Sequence, residues 1–367
     1  MRFLVFGGWF GSGNIGDDAI LIGLRNILNN IFPKCELVAL STNPEQTIKT
    51  CGVESVHLPS PLDHFRGRVS SYYHALRDCD AVIVSGGTPI YDYGHISRSL
   101  NMGLPMAFKK KTFCMGIGSK QLSSTTSKIV TKKLLDNMES ITVRDHPSRN
   151  ELVKIGVRKT VKVTGDSALF LQNQGRRKRK YIIIAPRTLS QNFRDQYHSQ
   201  LSKKNIERIR DNLAKSADYF IELGYPVGFL PMHKAGGDLN EINKIAHRMN
   251  STDYTIFDVG TPLKACKVLS GAFLVLGLRL HSLILSAMLG IPVISVDYDP
   301  KIRGFMEQVG AEDYLLFPED QPEKYLKTID KVLNDNIIGL KMSDMVASIR
   351  NKILVEAGTL RDILVTQ

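Results

Sequence analysis

From the N-terminus, short apolar runs alternate with segments whose apolar residues fall at helical spacing. The runs Phe3–Phe6, Leu37–Leu40, Ala81–Val84, Thr112–Met115, Ile141–Val143 and Val161–Val163 predict strands. The spacing over Ala19–Leu28, Val69–Leu76, Ser127–Leu135 and Ser148–Val153 predicts helices between them. Such alternation is the pattern of an α/β fold with a doubly wound parallel sheet. The pattern restarts after residues 173–180, with strands expected at Tyr181–Ala185, Val227–Leu230 and Thr255–Phe257. A long polar-rich helix over about Ser199–Leu223 separates the first two. Two domains follow from this break, residues 1–175 and 176–340. Residues 341–367, with a helix from about Ser343 to Leu364, are placed to pack back across the boundary.

The second half centres on FLVLGLRLHSLILSAMLGIPVISVDYDPK, residues 273 to 301. Phe273–Leu276 and Val293–Val296 read as buried strands, and Ser282–Leu289 as the helix between them, stopped by Gly290 and Pro292. A strand–helix–strand unit implies parallel pairing and a right-handed crossover. Arg279 and His281 then sit where the first strand meets the helix, the crevice in which open α/β sheets bind ligands. Free N–H groups at a helix start favour an anion, and a guanidinium adds a fork suited to carboxylate or phosphate. Lys301 follows the second strand toward the same crevice. From Leu278 to Val296 there is no Asp or Glu to hold ribose hydroxyls, which counts against a nucleotide sugar and favours a small, doubly anionic ligand. Capping or a local ion pair is the competing explanation for Arg279 and His281.

At 367 residues, 43% hydrophobic and 23% charged, the chain has room for two globular domains with separate cores. No apolar run approaches the ~20 residues that span a bilayer. The start MRFLVFGGWFGSG enters a strand directly, without the regions of a signal peptide, so a cytoplasmic location is expected. Cys35, Cys51, Cys79, Cys114 and Cys266 are odd in number and widely spaced, which predicts buried thiols rather than disulfides or a zinc site. The net charge of +12 fits anionic partners. Its densest run, Arg176–Lys180, reads as a solvated linker, with a lipid or polymer contact as the alternative. No nucleic-acid motif accompanies it.

Other motifs stand at strand ends. Gly11-Ser12-Gly13-Asn14-Ile15-Gly16 has dinucleotide-fingerprint spacing, but Asp17 and Asp18 follow at once, and no acid ends the second strand. The glycines then make a turn presenting Trp9, Phe10, Ser12 and Asn14, either to a sugar or as an anchor for the loop. Ser85-Gly86-Gly87-Thr88, with Asp92, is either an anion cradle or a tight turn. Arg144 and Arg187 end strands and are either anion ligands or structural ion pairs. His233 and Asp238 follow another strand, and Asp297-Tyr298-Asp299 is either a metal-binding D-x-D or, with Pro300 next door, a turn. No metal and no cofactor are expected.

In this order the motifs resemble the polysaccharide pyruvyl transferase family. The resemblance is carried by Gly13-Asn14-Ile15-Gly16-Asp17, Ser85-Gly86-Gly87 with Asp92, Gly116-Ile117-Gly118, Val143-Arg144-Asp145 with Ser148, and Gly165-Asp166. It continues with Pro231 and Asp238, Arg279-Leu280-His281, and Tyr298-Asp299-Pro300-Lys301. Departures fall at Thr88, where the family often has a third glycine, and at Ser119, where proline is common. The resemblance implies two Rossmann-like doubly wound domains facing a cleft (GT-B-like), and transfer of pyruvate from phosphoenolpyruvate to a sugar as a ketal. By motif position it places donor binding on Arg144, Arg187, Arg279, the backbone of Leu280, His281 and Lys301, and acceptor binding at Phe10 and Ser12, with Asn14 beside them. Such transfer needs a proton for the methylene carbon, for which His281 is the candidate, unless it serves as the hydrogen bond to the departing phosphate. Asp238 is the candidate base for the attacking hydroxyl.

Phosphoenolpyruvate is thus expected as substrate. A saccharide, free or lipid-linked, is the expected acceptor, with contact to the inner face of the membrane as a further option. Two rivals remain: a GT-B nucleotide-sugar glycosyltransferase, and a non-enzymatic module binding anionic polymer through residues 176–180.

Overall fold

The computed structural model describes residues 1–92, 95–172, 178–189 and 201–365. They form two compact units. The first holds Met1–Ser12, Asp17–Leu171 and the stretch from Ile349 onward; the second holds Gly13–Gly16 and Gln172–Ser348. Each is a Rossmann-like α/β layer with an all-parallel sheet, which is the expected fold class.

The first unit's sheet contains β1 (Arg2–Gly7), β2 (Glu36–Ser41), β3 (Glu54–His57), β4 (Ala81–Ser85), β5 (Lys111–Ile117), β6 (Ser140–Val143) and β7 (Val161–Val163). Their spatial order is β3-β2-β1-β4-β5-β6-β7. Phe3, Leu4, Val5, Ala81, Val82, Ile83 and Val84 are buried on both sheet faces, as a parallel sheet covered by helices requires. That two-sided burial is why these strands read as continuous apolar runs. β3 was not expected; ESVH carries no apolar run, because it is a half-exposed edge strand paired only with β2.

The second unit's sheet contains β8 (Tyr181–Ala185), β9 (Val227–Phe229), β10 (Tyr254–Ile256), β11 (Ala272–Gly277), β12 (Val293–Val296) and β13 (Leu315–Leu316), in the order β10-β9-β8-β11-β12-β13. The two-residue β13 is too short for a sequence pattern to reveal. The helix expected from Ser199 is described from Lys203 to Glu222, with Ser202 as its cap; residues 199–200 lie outside the described residues. Most of the expected boundary at 173–180, including Arg176 and Arg177 of the basic run, lies outside them too. The Ile338–Val365 helix passes from the second unit to the first between Ser348 and Ile349.

Both sheets reverse their winding once, between β1 and β4 and between β8 and β11. At such a switch point the loops leaving adjacent strand ends diverge to opposite faces, which opens a crevice.

The five cysteines are free thiols; four are buried, whereas Cys35 is half-exposed. Among the described residues no helix is long and apolar enough to cross a membrane.

Gly23, on the Ile15–Ile31 helix, lies close against the backbone of the first unit. A Cβ there would lie 1.9 Å from the Ser167 carbonyl oxygen. Alanine would gain about 1 kcal/mol of helix propensity, but the obstacle is backbone and cannot swing aside. Gly23→Ala should therefore destabilise the protein by about 1–3 kcal/mol net, read as a lower midpoint in denaturant unfolding.

Candidate active site

The second unit's switch point is built by the ends of β8 and β11. Leu278 donates its N–H to the Ala185 carbonyl at 2.9 Å, so the chain leaving β11 stays tied to the end of β8. Pro186 and Arg187 leave β8 at this level, and Arg279 leaves β11. Arg279 then stands as N-cap of the Leu280–Met288 helix, with an extended backbone. The Leu280 side chain is buried, so only its backbone N–H in the helix's first turn is available to a ligand.

Arg279 is aimed by Asp238. Its Nε lies 3.1 and 3.0 Å from the two carboxylate oxygens, and its Nη2 donates to one of them as well. Asp238 has no exposed surface. It also accepts the N–H groups of Met232 at 3.1 Å and His233 at 2.8 Å. The sequence expectation made Asp238 a base, but its lone pairs are committed to a guanidinium and two amides.

Arg187 is held from another direction. Its Nη1 donates to the Tyr298 hydroxyl at 3.2 Å, and its guanidinium lies 5.7 Å from the centre of that ring. The Tyr298 hydroxyl in turn donates to the Leu278 carbonyl. Burial pushes the phenol above its ordinary pKa, so the proton that makes this hydrogen bond stays in place. Desolvation opposes the Arg187 charge, but Tyr298, Asp299 and Asp238 outweigh it and the guanidinium pKa is raised. Asp299 caps the Pro300–Gln308 helix through the Lys301 N–H and pairs with Lys301 Nζ at 3.1 Å. Asp297, the other acid of the D-x-D triplet, pairs with Arg303.

His281 sits in the first turn of the Leu280–Met288 helix and is half-buried. Its ring packs on Gly16, where a Cβ would come within 2.1 Å of Nδ1. Gly16 belongs by contact to this second unit, and its N–H donates to Asn14 Oδ1 at 3.1 Å. Asn14 forms an isolated β-bridge with His233, and Ile15 N–H donates to the Met232 carbonyl at 3.1 Å. Arg187, Arg279, His281 and Lys301 thus belong to one unit, together with Asn14. Asp238 pairs with Arg279 and Asp299 with Lys301, whereas Arg187 is held by the Tyr298 hydroxyl.

The first unit holds the other expected residues. Arg144 is 3% exposed and is used internally. Its Nε lies 3.0 Å from Asp145, its Nη1 3.5 Å from Asp166, and Nη1 also donates to the Gly87 carbonyl at 3.1 Å. That is the structural ion pair left open by the sequence, and it leaves little guanidinium surface for a donor. Gly87 N–H donates to Asp17 at 3.2 Å, so the Ser85–Thr88 turn is braced by a carboxylate where an anion cradle would need a free amide. Gly86, at φ +140°, lies against Gly8, where a Cβ would come 2.2 Å from the Gly8 nitrogen; only glycine allows that approach. Asp92 accepts the N–H groups of Ser123 and Ser124.

Phe10 requires correction as an acceptor ligand. It is fully buried, and its carbonyl accepts Ser41 Oγ at 2.9 Å and Thr42 Oγ1 at 2.8 Å. The ring anchors the loop and has no face to offer a sugar; Trp9, 60% exposed, is the aromatic the loop presents. Ser12 is half-buried, its N–H donating to the Trp9 carbonyl at 3.2 Å. Asp18 accepts the Gly11 N–H at 3.2 Å, and burial pushes its pKa up to about 6.

Tyr298 and Gly16 had roles that the sequence did not show. Nothing local marks a tyrosine that braces an arginine 111 positions earlier. The Asp299 cap was legible, since Asp-Pro-Lys puts a capping acid before a proline at the first helical position.

Solved structures share this fold at low sequence identity. UDP-GlcNAc 2-epimerase from Neisseria meningitidis, bound to UDP-GlcNAc, superposes with a TM-score of 0.61 at 12% identity, covering 98% of this chain and 99% of that one. The Methanocaldococcus jannaschii UDP-GlcNAc 2-epimerase, in complex with UDP-GlcNAc and UDP, gives 0.59 at 12% identity, covering 96% and 100%. A glycosyltransferase from Rickettsia africae ESF-5 gives 0.58 at 11% identity, covering 99% and 98%. A sequence search of curated proteins found no match. The two-Rossmann architecture of these structures is that of the GT-B class. Residues 14–300 match the family model described as polysaccharide pyruvyl transferase, a span that runs from Asn14 through Arg187, Arg279 and His281. With most of its length inside that match, the chain belongs to the polysaccharide pyruvyl transferase family.

Proposed function

We propose that the protein transfers pyruvate from phosphoenolpyruvate to two hydroxyls of a saccharide acceptor, forming a cyclic ketal and releasing phosphate. The observation that supports this reading most is that Arg187, Arg279, Lys301 and His281 stand at strand ends or helix starts of one unit, in a sequence with no acid from Leu278 to Val296. Phosphoenolpyruvate presents a carboxylate and a phosphate on three carbons. Two guanidiniums and an ammonium suit that pair of anions, and neither anion needs a ribose pocket.

The chemistry balances as follows. His281 delivers a proton to the methylene carbon, which becomes a methyl group, and C2 takes on oxocarbenium character. One acceptor hydroxyl adds to C2 and loses its proton. The second hydroxyl then displaces phosphate, which leaves carrying the remaining proton. Having given up its proton, the His281 imidazole is the base within reach of the first hydroxyl. Asp238 positions Arg279, and Tyr298 positions Arg187. Arginines held in place before the reaction stabilise the charge that builds on the departing phosphate without reorganising. The acceptor side is assigned to Ser12 and Asn14, with Trp9 taking the place expected of Phe10. The site needs no cofactor or metal in this scheme.

Incubation with phosphoenolpyruvate and a panel of aryl and lipid-linked glycosides tests the reading. Acceptor-dependent phosphate release is expected, together with a mass gain on the sugar equal to a pyruvyl ketal. Transfer from UDP- or GDP-sugars, with phosphoenolpyruvate inert across the panel, would overturn it in favour of a glycosyltransferase.

A further inference from the structure

In the first unit the short helix Pro61–Phe65 turns its apolar side chains outward. Five residues cannot hold a helix by themselves, and this one is fixed at both ends. Ser60 and Asp63 form a reciprocal capping box, with Pro61 at the first turn. Buried Asn101 clasps it from the neighbouring His95–Ala107 helix, donating Nδ2 to the Pro59 carbonyl at 3.1 Å and meeting His64 Nε2 through Oδ1 at 2.9 Å. A rigid mount of this kind would ordinarily serve to bury an apolar face.

Here the face is offered to solvent. Leu62 is 52% exposed and Phe65 is 90% exposed, the largest value for any large hydrophobic side chain among the described residues. Three positions apart on a helix, the two lie on one side. Arg66 and Arg68 follow at once, both exposed, and Arg68 N–H returns to the Asp63 carbonyl at 2.9 Å to close the turn through Gly67. The only acid of the stretch, Asp63, is tied to Ser60 and lies near His57. The tip is therefore apolar at its point and cationic at its base.

We infer that this tip docks the protein on an anionic lipid bilayer, with Leu62 and Phe65 entering the interface and Arg66 and Arg68 meeting lipid phosphates. Apolar side chains backed by basic ones are what holds peripheral elements at a membrane surface. Arginine suits the role because its stem lies along acyl chains while its fork reaches phosphate oxygens. A protein partner is the weaker fit, since two exposed side chains on a five-residue helix are far below the ~800 Å² per side of a stable interface. The donor site plays no part in this inference, and vesicle binding is measured without turnover. Failure here would leave pyruvyl transfer untouched.

The test is co-sedimentation of the full chain with vesicles of phosphatidylcholine alone and of phosphatidylcholine with phosphatidylglycerol. Binding is expected to the anionic vesicles and to weaken with salt. Leu62→Ser with Phe65→Ser should lower the partition coefficient at least about tenfold. Arg66→Gln with Arg68→Gln should lower it roughly fivefold per arginine. Neither pair should move the melting temperature, because all four side chains are exposed. Three results would overturn the inference: no binding by the parent chain; binding that both variants retain but Lys178→Gln with Arg179→Gln and Lys180→Gln loses; or self-association that Phe65→Ser abolishes in a chain that ignores vesicles.

Discussion

Replacing His281 with alanine should lower kcat for phosphate release from phosphoenolpyruvate by about 10²–10⁴-fold, the span that a positioned acid or base contributes. The melting temperature should change little, because the imidazole is half-buried and rests on Gly16 rather than filling a core. Donor affinity should also survive, since Arg187 and Arg279 keep their own supports in Tyr298 and Asp238. The diagnostic outcome is a collapse in kcat with KM for phosphoenolpyruvate nearly unchanged. A variant with parental kcat and a raised KM would make His281 a binding group and remove it from the proton transfer.

Asp238→Ala should have the largest effect on stability. The substitution strips a buried carboxylate from Arg279 and leaves the Met232 and His233 amides without their acceptor. Breaking one partner of a buried ion pair costs about 3–5 kcal/mol. Arg279 is 16% exposed on its side chain, so water recovers part of its solvation and the lower end of that range applies. Asp238→Asn keeps one oxygen for the amides and should lose less. Denaturant unfolding measures both, and the surviving alanine protein should show a raised KM for phosphoenolpyruvate, because Arg279 is no longer aimed. Full stability in the alanine variant would mean that Arg279 finds another support.

Much of the fold was visible in the residues because parallel strands covered on both faces must be apolar throughout. β1, β4, β8, β11 and β12 are such strands, and each was expected within a residue or two of where it lies. β3 escaped because an edge strand shares its face with water, and β13 because two residues carry no period. Several helices were overlooked although their starts are written in the chain. Asn43-Pro44, Ser60-Pro61 and Thr261-Pro262 each place a capping side chain before a proline that fits only a first turn.

The site divides in the same way. That Arg187, Arg279, His281 and Lys301 stand at strand ends and helix starts was legible, because those are local features. What holds them was not. Asp238 reaches Arg279 over 41 positions, and Tyr298 reaches Arg187 across the sheet. Exposure is likewise a tertiary property. Arg144 and Phe10 stand in the expected order along the chain, yet one is spent on Asp145, Asp166 and Gly87 and the other lies inside its loop.

The central claim is that these cations and His281 grip phosphoenolpyruvate. A crystal structure of the protein with that ligand at saturating concentration measures it directly. The account predicts carboxylate and phosphate oxygens within hydrogen-bond reach of Arg187, Arg279 and Lys301, with the methylene carbon facing His281. Density for the ligand away from the ends of β8 and β11, or guanidiniums that leave it for Asp238 and Tyr298 alone, would contradict it.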